Sequence, residues 1–99
     1  MYFYNFDPQK NRKLIELRGI SFEEVISVLE NKGPIDIVRP QNDEKYSHQR
    51  IYVVEIHRYV YLIPFVEKEN EIFLKTIFPS RKATKKYLGN GGKNYDQKK

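Results

Sequence analysis

The stretch Arg50-Ile-Tyr-Val-Val-Glu-Ile-His-Arg-Tyr-Val-Tyr-Leu-Ile-Pro-Phe-Val-Glu-Lys-Glu-Asn-Glu-Ile-Phe-Leu-Lys-Thr-Ile-Phe78 carries the reading of the fold. It divides into three runs rich in Val, Ile, Tyr and Phe: Arg50 to Ile56, Tyr59 to Glu67 and Glu71 to Phe78. Only His57-Arg58 and Lys68-Glu69-Asn70 separate them. Connections this short leave no room for a crossover, so neighbouring runs pair antiparallel. The middle run, Tyr59 to Val66, is apolar on both alternating faces and is expected at the centre of a sheet. Pro64 within it has no N–H and calls for a bulge or an unpaired position beside it.

Working outward towards the N-terminus, Pro40 to Gln49 reads as a polar loop with turn signals, and Ile35 to Val38 as a short strand. Ser21-Phe-Glu-Glu24 is a capping box, and Phe22, Val25, Ile26 and Leu29 form the apolar stripe of a helix that ends near Asn31, before Gly33-Pro34. Asp7-Pro8 opens an earlier helix that Gly19 closes. Its apolar candidates are Leu14, Ile15 and Leu17, beside a basic cluster of Lys10, Arg12 and Lys13. Tyr2 to Phe6 alternates as a strand. Towards the C-terminus, Pro79 ends the last strand and Ser80 sits as the N-cap of a helix running to Leu88. The order β-α-α-β-β-β-β-α describes an α+β domain, an antiparallel sheet with helices on one side. Residues 1 to 88 form this single domain, and Gly89 to Lys99, without periodicity, reads as a flexible basic tail.

The net charge of +5 is unevenly spread. Residues 1 to 74 hold ten Lys/Arg against twelve Asp/Glu, whereas Lys75 to Leu88 holds five basic side chains and no acidic one. On the last helix Arg81 and Lys85 are four apart, as are Lys82 and Lys86. Such like-charge pairs cost an isolated helix roughly 0.2–0.5 kcal/mol each. Ala83, Thr84, Tyr87 and Leu88 fall on the remaining stripe, so the helix docks with both basic rows outward. A charge run is often only a solvated face, but cations fixed on a packed element give a phosphate a defined geometry to meet.

The chain has no cysteine, which excludes disulfides and thiolate metal sites, and His48 and His57 are too few and too far apart in sequence for a zinc site. No cofactor is expected. No apolar run approaches the roughly 18–20 residues of a membrane span, and the start lacks the order of a signal peptide. A soluble, cytoplasmic protein with no membrane partner is the expectation.

Phe6-Asp7-Pro8-x-Lys10, Arg18-Gly19-Ile20-Ser21-Phe22-Glu23-Glu24, Arg50, and Ile77-Phe-Pro-Ser-Arg81-Lys82-Ala83-Thr84 together resemble the BrnT family of type II toxins over residues 3 to 88. The chain departs from that family at His57-Arg58, where a glycine-containing turn is usual, and at Tyr87, near a position that tends to be acidic. The resemblance implies a RelE-like fold and an endoribonuclease that arrests translation. It also implies neutralisation, in a hetero-oligomer, by a small antitoxin, usually a ribbon-helix-helix DNA-binding protein.

Metal-independent RNA cleavage needs a proton acceptor, a proton donor and cations on a pentacovalent phosphate. Arginine suits the last role through its planar fork. Arg81 and then Arg50 are the candidates, expected to converge on one phosphate in a concave, solvent-open site, each otherwise a surface salt-bridge residue. Alternation sets Lys75 on the face of Phe73 and Ile77, where it lines a groove if that face is open and snorkels if it is packed. Lys82, Lys85 and Lys86 fit contacts to the RNA backbone or to acidic antitoxin residues, and the match of Lys10 to the family's opening motif implies that it adds charge for RNA binding at the site. His57 is an imidazole suited to proton transfer near neutral pH, though it lies in a predicted turn. Glu55, read as sharing its strand face, is a candidate base that serves equally as a salt-bridge partner. These residues support an anion site better than a catalytic set. Two rivals to the ribonuclease reading stay open: a binding module for nucleic acid or protein without catalysis, and a subunit that only completes a complex.

Overall fold

The computed structural model describes residues 3–40 and 48–89. Chain order is β1 (Phe3–Asn5), α1 (Pro8–Arg18), α2 (Phe22–Asn31), β2 (Asp36–Val38), β3 (Gln49–Ile56), β4 (Tyr59–Lys68), β5 (Glu71–Leu74), β6 (Phe78–Pro79) and α3 (Arg81–Leu88). The expected tail from residue 90 and the loop at 41–47 lie outside the described residues. No helix of the described residues is long and apolar enough to cross a membrane.

Local chemistry sets the helix ends. Asp7 accepts the Gln9 N–H at 2.9 Å, with Pro8 in the first turn, and Gly19 closes α1 in the left-handed region at φ 69°. Ser21 Oγ accepts the Glu24 N–H at 3.1 Å and starts α2. α1 packs more thinly than its apolar residues suggest. Only Leu14 and Asn11 are buried, while Ile15 is 47% and Leu17 81% exposed. A polar link replaces the missing apolar contact: the Asn11 amide oxygen accepts the Phe22 N–H and its Nδ2 donates to Glu23 Oε1, both at 2.8 Å.

The sheet order is β1-β5-β4-β3-β2, with β6 pairing the early part of β4. β3, β4 and β5 form an antiparallel meander and β2 joins β3 antiparallel. β1 is parallel to β5, so the sheet is mixed rather than wholly antiparallel. This pairing links residues 68 apart in sequence, which no local pattern announces.

Helices cover both faces, not one. Tyr52, Val54 and Ile56 of β3, Ile63 and Phe65 of β4 and Leu74 of β5 share a core with Leu14, Phe22, Val25 and Leu29 of α1 and α2. The opposite parity, Val53, Val60 and Leu62, packs with Ala83, Tyr87 and Leu88 of α3. The two-sided apolarity of β4 is accounted for by this double cover.

The run from Glu71 to Phe78 is not one straight strand. Phe65 opposes Leu74, yet Leu62 opposes Phe78, so three residues of the outer strand face two of β4. This is the bulge that Pro64 calls for. Pro64 carbonyl accepts the Lys75 N–H at 2.8 Å, which puts the missing proline N–H on the bulged side and leaves the pairing with β3 intact.

Candidate nucleic-acid interface

α3 is fastened from three directions. Ser80 Oγ accepts the Ala83 N–H at 3.0 Å, the Ser80 N–H donates to the Val60 carbonyl at 3.0 Å, and the buried Val60 N–H donates to Thr84 Oγ1 at 2.9 Å. Thr84 in turn donates its hydroxyl proton to the Ser80 carbonyl at 2.7 Å. Ala83 and Thr84 are buried, while Arg81, Lys82, Lys85 and Lys86 are exposed. At about 100° per residue, those four cations lie within an arc of about 140° facing away from the sheet. Among the described residues none of them makes an ion pair. Lys86 Nζ sits 5.2 Å from the centre of the Tyr87 ring, and its charge also acts on the nearby Asp36 carboxylate. α3 also has no acidic residue in its first turn, so helix dipole and side chains add with the same sign there.

Lys75 joins this face. Its N–H bond to Pro64 extends the β4–β5 register by one pair, so Lys75 lies opposite Pro64 and on the same side as Phe73, Val66 and α3. It is exposed, as a groove residue must be. The bulge then reverses the alternation, and Ile77 turns to the α1–α2 core instead of accompanying Lys75.

Arg50 does not. It opposes Phe65 and shares the parity of Tyr52, whose ring stacks on Phe65 at 3.9 Å, so it stands on the α1–α2 face. There it lines a hollow with His48, Phe65, Glu67 and Glu69. Val60, where α3 begins, is five residues along β4 from Phe65, or about 17 Å at roughly 3.4 Å per residue. Arg50 and Arg81 are therefore on opposite faces and well apart along the central strand, and the expected pairing of the two on one phosphate is corrected. Odd-even parity decides this, because Arg50 is one residue out of step with the face that α3 covers.

His57 and Arg58 form the β3–β4 turn at φ 55° and 66°, and His57 Nε2 lies 2.8 Å from Glu24 Oε2 on α2. Glu24 thus reaches the hairpin rather than completing its capping box. Glu55 has the parity of Val53, on the α3 face, and lines a hollow with Val28, Lys32, Gly33, Pro34 and Ile35. It opposes Val60, to which the Ser80 N–H is bonded, so it stands at the start of α3, while His57 turns to α2. Lys10 is exposed on α1, across the sheet from α3.

Sequence reasoning missed Asp36. Its Oδ2 accepts the Tyr87 hydroxyl at 2.8 Å and its Oδ1 accepts the Ile37 N–H at 2.8 Å, so one carboxylate ties the end of α3 to the sheet edge and occupies an edge donor. The Tyr87 hydrogen bond, then that of Ile37, holds the Asp36 carboxyl below its ordinary range, and the same hydrogen bond raises the Tyr87 phenol. The only local signal was a short strand rich in β-branched residues opening on an acid.

No family model matches the chain, and no curated protein matches it. Among solved structures it is similar to the solution structure of the conserved hypothetical protein HP0894 from Helicobacter pylori, with 23% identity and a TM-score of 0.50. The match covers 80% of this chain and 94% of that one. The likeness shows a shared fold.

Proposed function

We propose that the protein is the toxin of a toxin–antitoxin pair, that its ligand is RNA, and that the outer face of α3 with Lys75 is where RNA binds. The observation that carries this reading is a cationic face, without an ion pair among the described residues, on a helix whose inner face is locked by hydrogen bonds. Its like charges cost stability, and an anion removes that cost. The motifs of the BrnT family add support, since the closing motif, Ile77 to Thr84, spans the start of the same helix.

In this reading Arg81 offers its fork to a phosphate and stabilises charge that grows on its oxygens during cleavage. Lys82 and Lys85 hold flanking phosphates. An antitoxin neutralises the protein by laying an acidic segment over the same cations. Purified protein is incubated with single-stranded RNA in chelator, wild type against Arg81→Ala. Cleavage by the wild type, reduced at least 100-fold in the variant, is expected. Equal cleavage by both counts against the mechanism.

A second reading, RNA binding without cleavage, is favoured by the placement of Arg50 on the face away from α3 and by the engagement of His57 with Glu24. Intact RNA bound with a steep salt dependence supports it. Growth arrest on expression, relieved by the neighbouring gene, supports the toxin reading.

A further inference from the structure

α3 covers only one end of its sheet face. At the other end the register sets Phe3, Glu71 and Lys68 in one row across β1, β5 and β4, and Asn5, Phe73 and Val66 in the next. These rows floor an open groove of about 660 Å³, closed at one end by the Glu69-Asn70 turn. Phe3 is 68% exposed, a large ring on an uncovered face, and Phe73 is half-buried beside it. Lys75 is two residues from Phe73 on the same side, so the groove continues the cationic face rather than standing apart from it.

From this we infer that the groove is a nucleobase site, taking an unstacked base of single-stranded RNA that bears an exocyclic amino group. The inference rests on the RNA reading above. Two aromatic rings supply a stacking surface, which every base can use. The polar atoms select the part of the nucleotide. Glu69 and Glu71 outnumber the one cation of the lining, Lys68, so the groove disfavours a phosphate, and they accept N–H groups, as carboxylates do from base amino groups. Glu71 Oε2 receives the Asn5 Nδ2 at 3.2 Å, which orients the carboxylate and leaves Oε1 for a ligand. Phosphates therefore lie over Lys75 and α3 while the base turns into the groove. Adenine and cytosine present an amino group to Glu71, whereas uracil presents carbonyl oxygens on either side of its one N–H.

The test uses labelled 2′-O-methyl octanucleotides, which cannot be cleaved through a 2′-hydroxyl, with the whole chain. Oligo(A) and oligo(C) are expected to bind more tightly than oligo(U). Phe3→Ala, at a site too exposed to threaten folding, is expected to weaken oligo(A) about tenfold without altering the salt slope. Glu71→Gln is expected to narrow the preference over oligo(U), because an amide also donates to carbonyls. Oligonucleotide binding unaffected by Phe3→Ala, with no base preference, overturns the inference and leaves the cationic interface standing. So does loss of antitoxin binding alone in Phe3→Ala, which would assign the groove to a protein. No binding of any oligonucleotide by the wild type overturns the RNA reading itself.

Discussion

Asp36 and Tyr87 set how tightly α3 is held, and the sign of their coupling to pH follows from the two shifts. The Asp36 carboxyl is lowered, so its contribution to stability is present above the ordinary carboxylate range and is lost as pH falls through its folded value. The Tyr87 phenol is raised, so its contribution is present below the ordinary phenol range and is lost as pH rises through its folded value. Tyr87→Phe should therefore lower the denaturation midpoint between about pH 4 and pH 10 and converge on wild type outside that window. A difference that stays constant from pH 2 to pH 11 would falsify the latch. Thr84 is a more costly site. Thr84→Val leaves the buried Val60 N–H without an acceptor and should cost about 1–3 kcal/mol, read by urea denaturation. Burial is what separates the two cases, since the Asp36–Tyr87 hydrogen bond is open to water and the Val60–Thr84 one is not.

The β3–β4 turn holds two consecutive non-glycine residues at positive φ, His57 at 55° and Arg58 at 66°. A two-residue turn of this kind favours Asn-Gly, and each ordinary residue there costs roughly 1–2 kcal/mol. Against this stands the His57–Glu24 pair, with the His57 side chain 78% exposed, and exposed pairs add little. Replacing His57-Arg58 by Asn-Gly should raise stability by about 1–2 kcal/mol; a fall would mean that the Glu24 pairing outweighs the backbone strain. Helices were the most legible elements. Asp7, Ser21 and Ser80 each cap as their side chains dictate, because capping depends on neighbours three residues away or fewer. Strands were less so. β5 and β6 read as one run because a bulge adds a residue without changing composition, and that single residue moved Ile77 away from Lys75.

Across the whole molecule, charge and architecture agree. The five cations of Lys75 to Leu88 stand on the α3 side in register with the open half of the sheet, while Arg50 and the basic residues of α1 stand behind it. Arg50→Ala should leave RNA affinity within about twofold of wild type. Lys82→Ala with Lys85→Ala should weaken it, and should reduce the slope of log K against log salt by about 0.7 for each phosphate no longer neutralised. Equal effects from the two variants would place RNA on both faces and sink the one-sided interface. What the amino-acid order determined alone was local: helix ends, the antiparallel meander, the need for a bulge at Pro64, and the concentration of charge in Lys75 to Leu88. Which residues meet was a tertiary matter. The face that α3 covers, the parallel pairing of β1 with β5, the separation of Arg50 from Arg81 and the hydrogen bond between Asp36 and Tyr87 each join segments far apart in the chain. Such meetings depend on how whole faces pack, and a strand's period of two reverses its outcome with a shift of one residue.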